Sequence, residues 1–256
     1  MKAVILAGGF GTRISEESYL KPKPMIEIGN KPIIWHIMKY YASYGITDFI
    51  ICAGYKQQSI KEYFSNYVLY NSDITFDFKK GTTLIHSNNS ESWNVTVADT
   101  GLNTMTGGRI KRIDKYLGDD ESFCLTYGDG VSDVPIDEVI KFHEKTGKLA
   151  TITAVQPEGR FGTMDMNGND VLSFREKNMD DVGWINGGYM VLNRKVIDYI
   201  DGDSTIFERE PLERLVVEHQ LNAYKHKGFW QCMDTLRDKE KLQKIWTCDQ
   251  VPWKKW

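Results

Sequence analysis

Five apolar residues in a row, Ala3-Val4-Ile5-Leu6-Ala7, stop abruptly at Gly8-Gly9. A strand with one wet face alternates apolar and polar side chains, so this unbroken run predicts a strand buried on both faces, as in a parallel sheet between helices. A helix is expected next. Asn30-Lys31-Pro32 offers a capping side chain and a proline for the first turn, Ile33, Ile34, Ile37, Met38 and Tyr41 recur at helical spacing, and Gly45 ends the pattern. A second apolar strand over 48–53 and a second helix over 57–64 repeat the unit. That alternation predicts an α/β fold with a mostly parallel sheet.

Short strands are expected over 74–78, 83–86 and 95–98 around a polar loop at 87–92, forming a small strand-rich insertion. The alternation then resumes with a central strand over 122–127, a helix opened by Pro135 with Ile136, Val139, Ile140 and Phe142 on its apolar face and closed by Gly147, and a strand over 150–155. Strands over 171–174 and 184–192 follow. Thr205-Ile206-Phe207-Glu208 has capping-box spacing and predicts a helix to about residue 219, ahead of a strand over 222–226. Thr235-Leu236-Arg237-Asp238 has the same spacing and opens a last helix over about 236–248. No repeat, low-complexity tract or Pro- or Ser-rich linker breaks the chain, which predicts a single domain over residues 1–256.

Composition narrows the function classes. The chain is 41% hydrophobic and 26% charged with 7 prolines among 256 residues, the profile of a globular protein with one large core. A net charge of −3 and a pI near 6.0 give no basic excess, so neither a nucleic-acid nor a membrane partner is expected. Cys52, Cys124, Cys232 and Cys248 are far apart with no CxxC pair, which predicts reduced thiols and a cytoplasmic protein. The N-terminal apolar run is too short for a secretion signal. His36, His86, His143, His219 and His226 show no ligand spacing, and Trp35, Tyr40, Tyr41 and Tyr44 are expected in core packing or a subunit contact.

The chemistry is expected at strand ends. Leu6-Ala7-Gly8-Gly9-Phe10-Gly11-Thr12-Arg13 places three glycines just past the first strand. There, backbone N–H groups can approach a phosphate and Arg13 can add a planar fork of donors. A dinucleotide fingerprint would need glycine where Ile14 stands, and a Walker loop would need Gly-Lys-Ser/Thr, which is absent. Lys21-Pro22-Lys23-Pro24-Met25 holds two lysines between prolines that keep the segment extended, a rigid mount for a cation. Asp129 in Tyr127-Gly128-Asp129-Gly130 stands at the carboxyl end of a central strand, where open α/β sheets hold ligands, and suits Mg²⁺ bridging phosphates. Asp234, at the entry to the last helix, reads by itself as a helix-start residue.

Together these motifs resemble the sugar-1-phosphate nucleotidyltransferase family. Leu6 to Arg13 matches its Gly-Gly-x-Gly-Thr-Arg signature and Pro22-Lys23-Pro24-Met25 its Pro-Lys-Pro-Met motif. Phe174-Arg175-Glu176-Lys177, Trp184-Ile185-Asn186-Gly187-Gly188 and Trp230-Gln231-Cys232-Met233-Asp234-Thr235 follow in the family's order. The resemblance spans nearly the whole chain. It implies a single nucleotide-binding domain, Rossmann-like and GT-A-like, with a mixed, mostly parallel sheet flanked by helices. Its nucleotide-binding core would occupy about 1–130 and its sugar-binding part about 131–235. It also implies Mg²⁺ held by Asp129 and Asp234, Arg13 on the departing pyrophosphate, Lys23 on the α-phosphate, Lys177 on the sugar phosphate, and Glu176, Asn186 and Gly188 near the sugar. Residues 6–13 and Lys23 would bind the nucleotide.

Where many relatives carry a base-reading Gln with a Pro-x-Gly segment, this chain has Asp99-Thr100-Gly101 through Thr104 and Gly107-Gly108-Arg109. That departure resembles the branch using CTP and glucose 1-phosphate, with Thr104 and Arg109 on the nucleotide. UTP or dTTP is the alternative donor. The branch implies a homo-oligomer, with about 67–94 as the candidate contact, and a place in bacterial surface-polysaccharide synthesis. A nucleotide-sugar-dependent glycosyltransferase would also place a metal on a carboxylate like Asp129, and a sensor with a decayed site would keep the fold without the chemistry.

Overall fold

The computed structural model describes residues 1–11, 14, 19, 21–157, 163–167, 170–175 and 183–256, with 163–167 and 170–175 described in their backbone. In chain order the strands are β1 Ala3–Ala7, β2 Glu27–Ile28, β3 Lys31–Pro32, β4 Asp48–Ala53, β5 Ile74–Asp77, β6 Thr82–Ile85, β7 Asn94–Asp99 and β8 Ser122–Tyr127. They continue with β9 Gly130–Ser132, β10 Ala150–Val155, β11 Thr163–Asn167, β12 Asp170–Arg175, β13 Ile185–Asn193, β14 Leu221–His226 and β15 Trp230–Cys232. Seven of them form one sheet in the order β14-β10-β13-β8-β1-β4-β7. Within it β13 alone runs against its neighbours, antiparallel to both β10 and β8, while the remaining pairs are parallel.

All five residues of β1 are buried, as the unbroken apolar run requires. Alternate side chains feed two cores. Ala3, Ile5 and Ala7 join Phe49, Ile51 and Cys124 on one face, covered by the helices Ile33–Ala42, Ile136–Thr146 and Leu236–Trp246. Val4 and Leu6 join Ile50, Cys52 and Leu125 on the other, under Thr106–Arg112, Asp114–Leu117 and Glu210–Val217. Tyr40 and Tyr41 are buried in the first core, and Trp35 is buried with its ring edge-on to His36.

Two expected helix starts are differently made. Asn30 caps nothing: Lys31–Pro32 pairs with Glu27–Ile28 as a short ribbon, and the helix begins at Ile33 with Pro32 at its cap. The helix expected from Thr205 begins at Glu210, because the Glu208 carboxylate is occupied by Thr106 and Tyr127 instead of closing a capping box. The last helix does open as its sequence requires. Thr235 accepts from the Asp238 amide, and Asp238 Oδ2 accepts from the Thr235 amide at 2.9 Å.

The expected insertion is a separate hairpin, β5 against β6. Its register puts Ile74, Phe76, Thr83 and Ile85 on one face, with Phe78 stacked on Phe76 at 6.2 Å. That face is apolar and open to solvent, Phe78 being 91% exposed.

Candidate active site

The glycine segment leaves the carboxyl end of β1 and Gly128-Asp129 leaves the carboxyl end of the adjacent β8. Chain connections diverge to either side of this pair, the position where open α/β sheets form their ligand crevice. A cleft of about 540 Å³ opens there. Leu6 to Gly11, Lys23, Pro24, Leu102 to Thr106, Arg109, Tyr127 to Asp129 and Asp234 line it. A second cleft of about 360 Å³ adjoins it, lined by Asn186 to Tyr189, Trp230 and Cys232 and sharing Tyr127, Asp129 and Asp234 with the first. The reversed β13 brings Asn186 and Gly188 there, since its amino end lies beside the carboxyl end of β8.

Lys23 joins the two carboxylates. Its turn, Lys23–Met25, is fixed by the Met25 amide donating to Pro22 O at 2.7 Å and by burial of Pro24 and Met25. From it Lys23 Nζ donates to Asp129 Oδ2 at 2.7 Å and Asp234 Oδ1 at 2.5 Å. The carboxylates are held together by the ribbon of β9 and β15, whose register matches Gly130 with Cys232, and by the Met233 amide donating to Asp129 O at 2.8 Å. Burial on its own would lower the Lys23 pKa. Asp129, and then Asp234, outweigh it and hold the lysine above its ordinary value, so the ammonium is charged at neutral pH. Asp238 Oδ2 also accepts from the Asp234 amide at 3.2 Å, so the capping box fixes the Asp234 turn.

Arg109 is 5% exposed and serves the other wall. Nη1 donates to Thr100 Oγ1 at 2.7 Å, Gly101 O at 2.8 Å and Ala53 O at 3.4 Å, and Nη2 to Gly8 O at 3.0 Å and Leu102 O at 3.2 Å. One guanidinium therefore ties the glycine segment to the end of β4 and to the 100–102 loop. The approach needs Gly8 to be glycine, because a Cβ there would lie 2.1 Å from Nη1. Thr104 is buried at the edge of the same cleft. Cys232 donates its thiol to Asp234 Oδ2 at 3.7 Å, and burial, with Asp234 and Asp129 nearby, pushes its pKa up to about 12, so it stays a neutral thiol.

A cation site is consistent with this donor set. Asp129 and Asp234 both present oxygens to the Lys23 ammonium, and no cluster of three or more His, Cys, Asp or Glu occurs among the described residues. Two carboxylates suit Mg²⁺, which keeps waters and takes its remaining oxygens from phosphates.

The model of the family described as "Nucleotidyl transferase" matches residues 2–238. The chain belongs to the nucleotidyl transferase family. It is 56% identical over 256 residues to the glucose-1-phosphate cytidylyltransferase of Salmonella typhimurium, with all of both chains covered. To the probable glucose-1-phosphate cytidylyltransferase of Bacillus subtilis it is 43% identical over 257 residues, again with full coverage. The crystal structure of HddC from Yersinia pseudotuberculosis complexed with GMP-PN covers 96% of the chain and 99% of its own, with a TM-score of 0.68 at 24% identity, which shows a shared fold.

As a nucleotidyl transferase the chain is an enzyme, and the glycosyltransferase and sensor readings fall away. Of the residues singled out in the sequence, the structure brings Leu6 to Gly11, Lys23, Thr104, Arg109, Asp129 and Asp234 to the first cleft and Asn186 and Gly188 to the second. Thr12, Arg13, Glu176 and Lys177 lie outside the described residues. Tyr127, Thr106 and Trp230 line these clefts without having been singled out. Tyr127 had a signal, since it closes the strand directly before Gly128-Asp129, and so had Trp230, which opens the family motif that ends in Asp234-Thr235; Thr106 had none. Among the described residues no helix is long and apolar enough to cross a membrane.

Proposed function

We propose that this nucleotidyl transferase moves a cytidylyl group from CTP to α-D-glucose 1-phosphate, giving CDP-glucose and pyrophosphate. The observation that carries the reading is the pair of adjoining clefts that share Asp129, Asp234 and Tyr127, with Lys23 bridging both carboxylates from the first cleft. Two phosphate-bearing substrates, one in each cleft, would meet at that shared wall. Full-length similarity to glucose-1-phosphate cytidylyltransferases supports the choice of CTP and glucose 1-phosphate.

The acceptor phosphate is anionic at neutral pH and needs no general base. Its oxygen forms a bond to the α-phosphorus as the bond from that phosphorus to the β-phosphate oxygen breaks, and pyrophosphate leaves. The protein aligns the two and offsets charge. Amides of the glycine segment cradle the triphosphate, and Lys23 neutralises charge building on the α-phosphate oxygens. Asp129 and Asp234 would hold Mg²⁺, which supplies positive charge to the phosphates. By the resemblance, Arg13 would steady pyrophosphate, Thr104 and Arg109 would face the nucleotide, and Glu176, Lys177, Asn186 and Gly188 would hold the sugar phosphate. The setting is cytoplasmic, where such a product feeds surface-polysaccharide synthesis.

Pyrophosphate release with glucose 1-phosphate and Mg²⁺, compared across CTP, UTP, dTTP, ATP and GTP, tests the reading. CTP should give the largest kcat/KM; a larger value for any other triphosphate refutes the assignment.

The same reading makes the enzyme a homo-oligomer. A lone two-stranded hairpin is at best marginally stable in water, and the β5–β6 ribbon exposes Phe76, Phe78 and Ile85 together. A second copy covering that face would remove the penalty. Phe78→Asp should convert the assembly to smaller species in light scattering while leaving the far-UV circular dichroism unchanged; an unaltered mass would place the interface elsewhere.

A further inference from the structure

Glu208 lines neither cleft, yet its carboxylate is tied to a wall of each. Oε2 accepts from Thr106 Oγ1 at 2.5 Å and Oε1 from Tyr127 Oη at 2.5 Å. Thr106 lines the first cleft and Tyr127 lines both. Thr106 is itself held by the Phe207 amide, which donates to its Oγ1 at 2.9 Å.

The chain continues into the second cleft. Asn186 Oδ1 accepts from the Gly188 amide at 2.8 Å, and Gly188 packs against the Tyr127 ring. The phenol proton is donated to the Glu208 carboxylate. Burial first, and the adjacent Glu208 second, hold the Tyr127 pKa well above its ordinary value, so that proton stays on the phenol. The ring cannot swing away, because it packs on Gly188, where φ is +79° and a Cβ would lie 2.5 Å from the ring. Thr106, Glu208 and Tyr127 thus form a chain with each donor and acceptor matched, and Gly188 carries it from the Tyr127 ring to Asn186 on the acceptor side.

We propose that Glu208 is a positioning residue for the transfer reaction, holding the Thr106 loop and the Asn186 amide in register so that filling one cleft prepares the other. The inference rests on the function proposed above, since it takes one cleft for the nucleotide and the other for the sugar phosphate. It accounts for a glutamate in capping-box position that caps no helix. Of the hydroxyls it orders, Thr106 belongs to the first cleft and Tyr127 to the wall that both clefts share, and a ligand that stiffens one end of a matched hydrogen-bond chain lowers the ordering cost at the other. Such coupling is reciprocal: CTP tightens glucose 1-phosphate by the factor by which glucose 1-phosphate tightens CTP.

The test compares the parent enzyme with Glu208→Ala and Glu208→Gln. Glucose 1-phosphate affinity is measured by titration calorimetry with Mg²⁺, with and without a CTP analogue carrying a methylene between the α- and β-phosphates. In the parent the analogue should tighten glucose 1-phosphate by about 5-fold or more. In Glu208→Ala that gain should fall below about 2-fold, with kcat down by roughly 10–100-fold, the usual range for losing a supporting partner of a functional group. Glu208→Gln keeps one acceptor oxygen but turns an NH₂ toward a hydroxyl donor, so its coupling should lie between the two.

Should Glu208→Ala melt far below the parent, Thr106→Val, which cuts one arm of the chain, carries the test and should lose the gain as well. A parent without coupling, or a variant that keeps it, overturns the role of Glu208 while leaving the function standing. A parent that releases no pyrophosphate from any triphosphate overturns the function and this inference together.

Discussion

Lys23→Ala should cut kcat for CTP-dependent pyrophosphate release by about 10²–10³-fold, the usual loss when a preorganised group facing transition-state charge is removed. The lysine is 11% exposed and mounted on a turn locked between prolines, which holds its ammonium between the two carboxylates. Its removal also takes one positive charge from between Asp129 and Asp234. Mg²⁺ should therefore bind the variant at least as tightly as the parent, and added metal should not restore the rate. A fall in kcat that saturating Mg²⁺ reverses would mean that Lys23 only assists metal binding. A rate within about 3-fold of the parent would remove it from the chemistry.

Arg109→Met should lower the melting temperature and weaken CTP binding together. Methionine fills most of the volume but strips Thr100 Oγ1, Gly101 O and Leu102 O of their donor, while Ala53 O keeps the Thr100 amide and hydroxyl and Gly8 O keeps the Tyr55 amide. Orphaned buried acceptors cost about 1–3 kcal/mol each, and relaxation or water recovers part of that, so a net loss of about 4 kcal/mol is expected. For a chain of this size that corresponds to a drop of roughly 8–16 °C in calorimetry. The KM for CTP should rise because the glycine segment and the 100–102 loop lose their common tie. An unchanged melting temperature with a raised KM would mean that Arg109 acts on the nucleotide alone. No change in either would refute the role of the strut.

The strands of the parallel half could be read from sequence because a run such as Ala3 to Ala7 has a single good solution, burial on both faces. The direction of β13 could not: hydrophobic periodicity is blind to which way a strand runs, and its reversal is decided by pairing with β8 and β10. Local signals failed where a distant partner outbid them. Thr205 to Glu208 has the spacing of a cap, but Thr106 and Tyr127 lie about a hundred and about eighty positions upstream. Thr235 to Asp238 succeeded because both halves of its box are local.

The site divides in the same way. Gly8 to Gly11 and Asp129 follow directly from strand ends, which sequence marks well. That Asp234 meets Asp129 depends on the ribbon of β9 and β15, a pairing across about a hundred residues that no local pattern encodes. Arg109 was legible as a cleft residue through resemblance, but its use as a strut was not, since nothing in the sequence indicates that Gly8 and the 100–102 loop converge on it.

The reversed strand has a consequence for how such an enzyme can change. In an all-parallel sheet, every loop at the reactive rim leaves a strand on its way out, so recognition of both substrates would have to be built from the same kind of segment. On the function proposed above, donor recognition would be attached to chain departing after β1 and β8, and acceptor recognition to the amino end of β13, which arrives. Substitutions at Asn186 or Gly188 would then alter the grip on the acceptor while the departing loops keep their backbone. One strand laid backwards would give acceptor choice a segment of its own.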